Sequence, residues 1–527
     1  MLKIKISLLL LVFCMFLAKA QDNIYKAADF AETITPNDLR AHLTVLTSDS
    51  CAGRETGTEG NLVAARYIAS QFERLKLPKV KNNAYFQNIL FVSHGWENTS
   101  MTIKEKQYRY LWDFYSYSTL CQNKPQLDTR KVVFLGYGID DEKYSDYRDC
   151  DVKGKVIMIY QDEPVDKSGI SYITGTTTPS GWSNNYHKKL ETAKRHGVEM
   201  VLFIDADLAK NIGRLRNFLI GSRLLLSDAD KTETTYANHA FISTDMAKAI
   251  IGRKFKKVVR IREAIKKTGK PDYARLRTEM NIVQQKEEKR IIGANVLGFI
   301  EGSDPILKKE IVVVTAHYDH LGKKGEEIFR GADDDGSGTS SVLEIAEAFA
   351  EAKKKGAGTR RSVLCMTVTG EEKGLLGSNY YTHFPIFPLE NTVVDINIDM
   401  VGRIDDAHKD NPNYIYVIGA DRLSSELHNI NEQMNTVHTK MNLDFTYNAE
   451  SDPNRYYYRS DHYNFAEKGI PAIFYFNGTH ADYHRPTDTI DKINFEMMAK
   501  RAQLAFFTAW EIANKDKRIL VDKKASN

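Results

Sequence analysis

Cysteine is scarce in this chain: five occur among 527 residues, at positions 14, 51, 121, 150 and 365. No two stand in a C-x-x-C spacing, which excludes a zinc knuckle and a thioredoxin-like redox motif. Cys121 and Cys150 are placed to pair in an oxidising compartment, with buried free thiols as the equal alternative. Cys365 sits inside an apolar run and reads as a core thiol. Excess charge is also missing. The chain has 73 basic and 69 acidic residues. Lys3, Lys5 and Lys19 fall in an N-terminal segment without acids, which leaves 70 basic against 69 acidic residues for the remainder. Such a balance gives no electrostatic footprint for nucleic acid. Beyond the N-terminus no stretch approaches the roughly 20 apolar residues that a spanning helix needs, so no transmembrane segment is expected in the mature chain. Internal repeats and low-complexity tracts are absent as well.

The first 20 residues have the form of an export signal. Lys3 and Lys5 precede an apolar run of 12 residues from Ile6 to Leu17. Small residues then flank Lys19 in Ala18-Lys19-Ala20, predicting cleavage before Gln21 and a periplasmic or secreted location. The run is too short for a membrane anchor.

From Pro36 to Lys76 the pattern is helical, with Leu39, Leu43 and Leu46 on one face and Ala64, Ala65, Ile68, Ala69 and Phe72 on another. Short β-rich runs such as Lys131–Leu135, Lys155–Tyr160 and Met200–Ile204 mark a region of different character. We read residues 121–284 as a smaller β-rich α/β domain inserted between two parts of a main domain, 21–120 and 285–527. The basic stretch Lys254–Lys270 reads as a solvated surface. From Ile291 onward strands and helices alternate. Strands are predicted at Ala294–Ile300, Glu310–Ala316, Ser362–Thr369, Val393–Met400 and Ala472–Phe476, and helices at Thr339–Lys354 and from Leu375 to about His383. This alternation predicts an α/β three-layer sandwich with a mostly parallel central sheet. Sites in such sheets gather at the carboxyl ends of the strands.

Those ends carry the chemistry. Strand 310–316 runs into His317-Tyr318-Asp319, followed by the loop Gly331-Ala332-Asp333-Asp334-Asp335-Gly336-Ser337-Gly338. Strand 362–369 runs into Gly370-Glu371-Glu372, strand 393–398 into Asp399, and the last strand into Asp482-Tyr483-His484. Clustered acids repel one another and are costly to desolvate unless a cation is bound. Histidine with carboxylate donors suits zinc. Two zincs about 3.5–4 Å apart need a carboxylate shared between them.

These motifs, in this order, resemble the di-zinc aminopeptidase and glutamate carboxypeptidase metallopeptidase family, which includes bacterial leucyl aminopeptidases and aminopeptidase Y. The resemblance covers about 30–115 and 285–515, with Ala52-Gly53-Arg54 and Asn397-Ile398-Asp399-Met400 among the matching stretches. The insert more loosely resembles a protease-associated domain, at Gly136-Tyr137-Gly138 and Gly154-Lys155-Val156. The resemblance implies the zinc exopeptidase fold and two zincs per chain. His317 and Asp399 would hold the first and Glu372 and His484 the second. Asp334 would bridge them, with a cis peptide to Asp335. It also implies Glu371 as general base, Asp319 as the residue that orients His317 by a hydrogen bond, and Tyr483 as donor to the oxyanion. The expected substrates are peptides, cut at the N-terminus; oligomeric state is left open. Asp461 and His462 are expected near the site but outside the ligand set. His320 and Asp333 are assigned structural roles. Three rivals share the fold: a glutaminyl cyclase, a carboxypeptidase that would use Arg403 or Arg459 for the substrate carboxylate, and a non-catalytic binding relative.

Overall fold

The computed structural model describes residues 26–80, 84–183, 185–221, 223–227 and 235–523. The expected signal peptide lies outside the described residues. The chain divides into two units, one of residues 1–90 and 292–527 and one of 91–291. Each is described by itself.

In the first unit, apolar β-branched runs form a mixed sheet. Four parallel strands make its centre, in the order Ser362–Val368, Ile311–His317, Thr392–Ile398, Ala472–Phe476. Residues 296–300 of strand Ala274–Ile300 pair antiparallel at one edge. Tyr414–Ile418 pairs antiparallel with Ala472–Phe476 at the other and continues to Asn442–Asp444. The central strands are buried on both faces, which is why they read as unbroken apolar runs rather than alternating ones. Alternation persists in what each residue packs against. Val312, Val314, Ala316, Val363, Cys365 and Ile396 join one core, with helices Pro36–Leu46, Glu59–Arg74, Gly338–Lys354 and Phe495–Asn514. Ile311, Val313, Leu364 and Met366 join another, with Tyr381 and Phe465 from helices Leu376–His383 and His462–Glu467. The result is the α/β sandwich expected from the sequence.

Among the four central strands, chain order differs from sheet order at one point. Ile311–His317 has the next strand, Ser362–Val368, on one side and the one after it, Thr392–Ile398, on the other. The crevice outside the carboxyl ends at such a switch is where α/β sheets bind ligands. His317 and Asp399 stand there.

The second unit has its own parallel strands, Lys124–Phe134, Val156–Tyr160, Met200–Asp205 and Asn238–Ser243. Residues 274–284 and Phe114–Tyr115 flank them antiparallel. Two apolar cores form within this unit. Its span is wider than the 121–284 expected. Phe91–His94 pair with Arg223–Leu226, and Phe114–Tyr115 pair with Asn238–Ser243, so residues 91–120 are held in this unit by backbone hydrogen bonds. Strand Ala274–Ile300 runs unbroken past 284. Cys121 and Cys150 are not joined: all four cysteines of the described residues are free and buried. The Cys121 thiol faces Ser116 and His239, whereas Cys150 packs in an apolar core.

Candidate metal centre

Three successive aspartates make the loop after Gly331, and the fold gives them different work. Asp333 accepts the Gly402 amide at 2.7 Å and the Ser337 hydroxyl at 3.0 Å, and meets Asn477 and His480 with its other oxygen. Asp335 accepts three backbone amides, those of Gly338, Met400 and His317. Both are anchors. Asp334, between them and joined to Asp335 by a cis peptide, turns its carboxylate the other way. Its Oδ1 lies 3.3 Å from His317 Nε2, and its Oδ2 lies 3.0 Å from His484 Nε2 and 3.8 Å from His320 Nδ1. The Asp488 carboxylate, wholly buried, fixes this loop by accepting the Asp333 and Asp334 amides.

Glycines at both ends permit the geometry. Gly331 has φ +54°, and a Cβ there would fall 2.1 Å from the Asp334 carbonyl oxygen. A Cβ on Gly338 would fall 2.1 Å from the Ile398 carbonyl oxygen. Arg54, fully buried, donates to the carbonyls of Tyr318, Leu46, Arg330 and Gly331, tying this loop to the His317 strand end.

The other expected residues converge on Asp334. Asp399 Oδ1 is 3.6 Å from His317 Nε2, while its Oδ2 accepts the Ser460 hydroxyl at 2.7 Å. Glu372 Oε1 is 3.2 Å from His484 Nε2. Glu371 Oε2 is 3.8 Å from His317 Nε2. Tyr483 stacks on His484, ring centroids 3.9 Å apart, and its hydroxyl accepts from Arg459 at 3.4 Å. Asp319 departs from its expected contact. His317 Nδ1 is 3.1 Å from the Asp319 carbonyl oxygen, while the carboxylate stands 3.8 Å away and instead accepts the Glu371 amide and the Thr56 hydroxyl. A carboxylate so engaged supports the Glu371 backbone more directly than the imidazole.

Burial and neighbouring charges compete in the electrostatics. Burial alone would lower the His317 pKa, yet Glu371, Asp399 and Asp334 raise it well above its ordinary value. Against the same penalty, Asp334 and Glu372 lift His484 to about 10. Burial opposes ionisation of Asp334, but His320, His317 and His484 hold it well below the usual carboxylate range. Burial pushes Glu371 well above that range, with Glu372 and Asp399 adding to the effect.

Among the described residues, two groups have donor atoms near enough together to hold a metal: His317 with Asp335 and Asp399, and His320 with Asp334 and Glu372. The amides already bound to Asp335 remove it from the first, and Asp334 replaces it. Asp334 Oδ2, Glu372 Oε1 and both His320 ring nitrogens are buried without a hydrogen-bond partner. Orphaned donors of this type fit a cation. His320 thus stands inside the cluster, not in the structural role expected for it. The run His317-Tyr318-Asp319-His320 carried the signal, but a loop has no periodicity to say which side chains turn inward. Asp333 keeps the structural role assigned to it. Asp461 bonds Ser378, and His462 stacks on Phe474, both outside the cluster. Arg403 pairs with Asp482 at 2.9 Å through one nitrogen, while the other stands 3.6 Å from Asp488. A narrow cleft opens onto the cluster, its apolar wall formed by Met400, Tyr456, Phe474 and Phe476.

Residues 295–509 match the profile of Peptidase family M28. Aminopeptidase YwaD of Bacillus subtilis (strain 168) is 28% identical over 257 residues, covering 46% of this chain and 51% of that protein. A probable leucine aminopeptidase of Trichophyton verrucosum (strain HKI 0517) is 32% identical over 216 residues, covering 40% and 56%. The chain therefore spans about half the length of the curated relatives it matches. Among solved structures, an aminopeptidase from Aneurinibacillus sp. strain AM-1 superposes with a TM-score of 0.55 at 17% identity, over 95% of this chain and 100% of that one. That likeness shows the fold.

Proposed function

Proceeding from a peptidase M28 domain at residues 295–509, we propose that this chain is an exported di-zinc aminopeptidase that releases N-terminal residues from peptides. The observation that carries the reading is Asp334, whose two carboxylate oxygens face two separate donor groups, His317 with Asp399 and His484 with Glu372. When bound, a zinc pair supplies Lewis acidity and brings the pKa of water toward neutrality.

The chain's own groups do the rest. Glu371 takes a proton from the attacking water and returns it to the leaving amine. Burial prepares it for this by raising its carboxyl, and Asp319 fixes its backbone. The Tyr483 hydroxyl donates to the developing oxyanion; burial keeps that hydroxyl protonated, and stacking on His484 fixes the ring. The apolar wall of Met400, Tyr456, Phe474 and Phe476 receives the first side chain of the peptide, which agrees with relatives named leucine aminopeptidases. The insert would be a protease-associated-like domain, and residues 1–20 the signal for export.

The test is hydrolysis of a panel of aminoacyl chromogenic amides, with and without chelator, beside metal analysis. Chelator-sensitive release from leucyl and phenylalanyl amides, with about two zincs per chain, is expected. Zinc-loaded protein inert toward the whole panel would overturn the aminopeptidase reading. Sequencing of exported protein should begin at Gln21.

A further inference from the structure

Within the cluster, His320 has no role in the reaction described above, yet its position is highly constrained. The ring is fully buried and neither nitrogen has a hydrogen-bond partner. Nδ1 lies 2.9 Å from Glu372 Oε1 and 3.8 Å from Asp334 Oδ2. The shorter separation has hydrogen-bond length without hydrogen-bond direction, since neither atom finds a partner. His484 Nε2 meets the same two oxygens, at 3.2 Å and 3.0 Å. The two imidazoles stand edge to face, 5.8 Å between centroids.

Donors around a tetrahedral zinc with bonds near 2.0–2.1 Å lie about 3.3 Å from one another. The separations of 2.9, 3.0, 3.2 and 3.8 Å scatter around that edge length. We infer that His320 is a fourth protein donor to the second metal, completing a set of Asp334, Glu372, His320 and His484. This inference rests on the di-zinc reading and makes the pair unequal. The first position has three protein donors, His317, Asp334 and Asp399, and stays open, as a catalytic zinc does; the second is closed by protein, as a structural zinc is. Water and substrate then exchange at the first, and the second is the more slowly lost. Gly331 shapes the seat, because a Cβ there would press within 2.5 Å of His320 Cγ.

Zinc-edge X-ray absorption on wild-type protein carrying two zincs tests this without any variant. Three imidazoles shared by two zincs give about 1.5 per zinc, against about 1.0 if only His317 and His484 ligate. Chelator release read by a zinc dye should be biphasic, its slow phase about tenfold slower or more. In His320→Asn and His320→Ala the slow phase should accelerate by about tenfold or more, the fast phase remaining. A value near 1.0 per zinc, or unchanged slow release in folded variants, overturns the assignment while leaving the aminopeptidase reading intact. Wild-type protein that takes up no zinc overturns both.

Discussion

Both units of this chain contain parallel sheets, and both place charged groups where strands end, yet only in the first, among the described residues, do unsatisfied carboxylate and imidazole atoms converge on one point. In the second unit, Asp205 closes strand Met200–Asp205 and is taken up by Asn211, the Asp207 amide and the Tyr115 hydroxyl. Asp146 accepts the amides of Tyr137 and Ile139 and the Tyr144 hydroxyl. The Lys189 ammonium caps the carbonyls of Tyr160, Gln161 and Asp162. In the first unit, His320, Asp334 and Glu372 retain buried atoms with no partner. The difference teaches that a strand end becomes a site through what its neighbours leave unsatisfied, not through the presence of charge.

The strongest way to break this comparison is through activity. Glu371→Ala should lower kcat on the order of 10³-fold, because proton transfer by a positioned carboxylate contributes about 10²–10⁴-fold. Its zinc content should not change. Near-wild-type turnover would remove Glu371 as the base. Next comes Asp334→Ala. Losing the shared carboxylate leaves His317 and His484 without their common partner, so zinc content should fall below two per chain. The metal-free fold should lose about 3–5 kcal/mol as well, the cost of unpairing a buried charge. Two tightly held zincs in that variant would rule out the bridge.

Much of this was legible in the sequence, and the reasons differ from residue to residue. The strands of the first unit are continuous apolar runs because both faces are covered, so their ends, and with them His317, Glu371, Glu372 and Asp399, were placed by pattern. Loop side chains were not. His320 and Asp333 differ in function because the Gly402 amide, the Ser337 hydroxyl and Asn477 bond one of them, whereas the other meets Glu372 and Asp334 without a hydrogen bond. Asp488 holds the Asp334 amide from 154 residues away, a contact that no local spacing announces. The second unit's edges were misplaced because short strands at Phe91–His94 and Phe114–Tyr115 acquire their identity from partners more than 100 residues distant.

A finer test concerns protons. In the metal-free protein Asp334 and Glu372 hold His484 at about 10, so at pH 7.5 its ring carries a proton. His317 is likewise raised well above its ordinary value. Metal can bind only the deprotonated nitrogen. Zinc uptake at pH 7.5 should therefore release at least about one proton per chain, seen as a dependence of calorimetric binding enthalpy on buffer ionisation enthalpy. Affinity should rise with pH up to about 10 and fall on acidification. Binding without proton release would mean that these imidazoles are not the ligands.

The smallest effect sharpens the comparison from its other side. Lys189→Met keeps the length and apolar stem of the side chain but leaves three strand-end carbonyls without their donor. Each unsatisfied buried group costs about 1–3 kcal/mol, and partial access to water reduces the sum, so a loss of about 2 kcal/mol is expected in urea unfolding. Zinc content and chelator-release rates should be those of wild type, because the Lys189 ammonium bonds strand-end carbonyls and no donor of the cluster. A variant that unfolded no more easily but lost zinc would mean that the charged strand ends of the second unit serve the metal centre, and satisfaction of polar atoms would no longer separate a site from a scaffold.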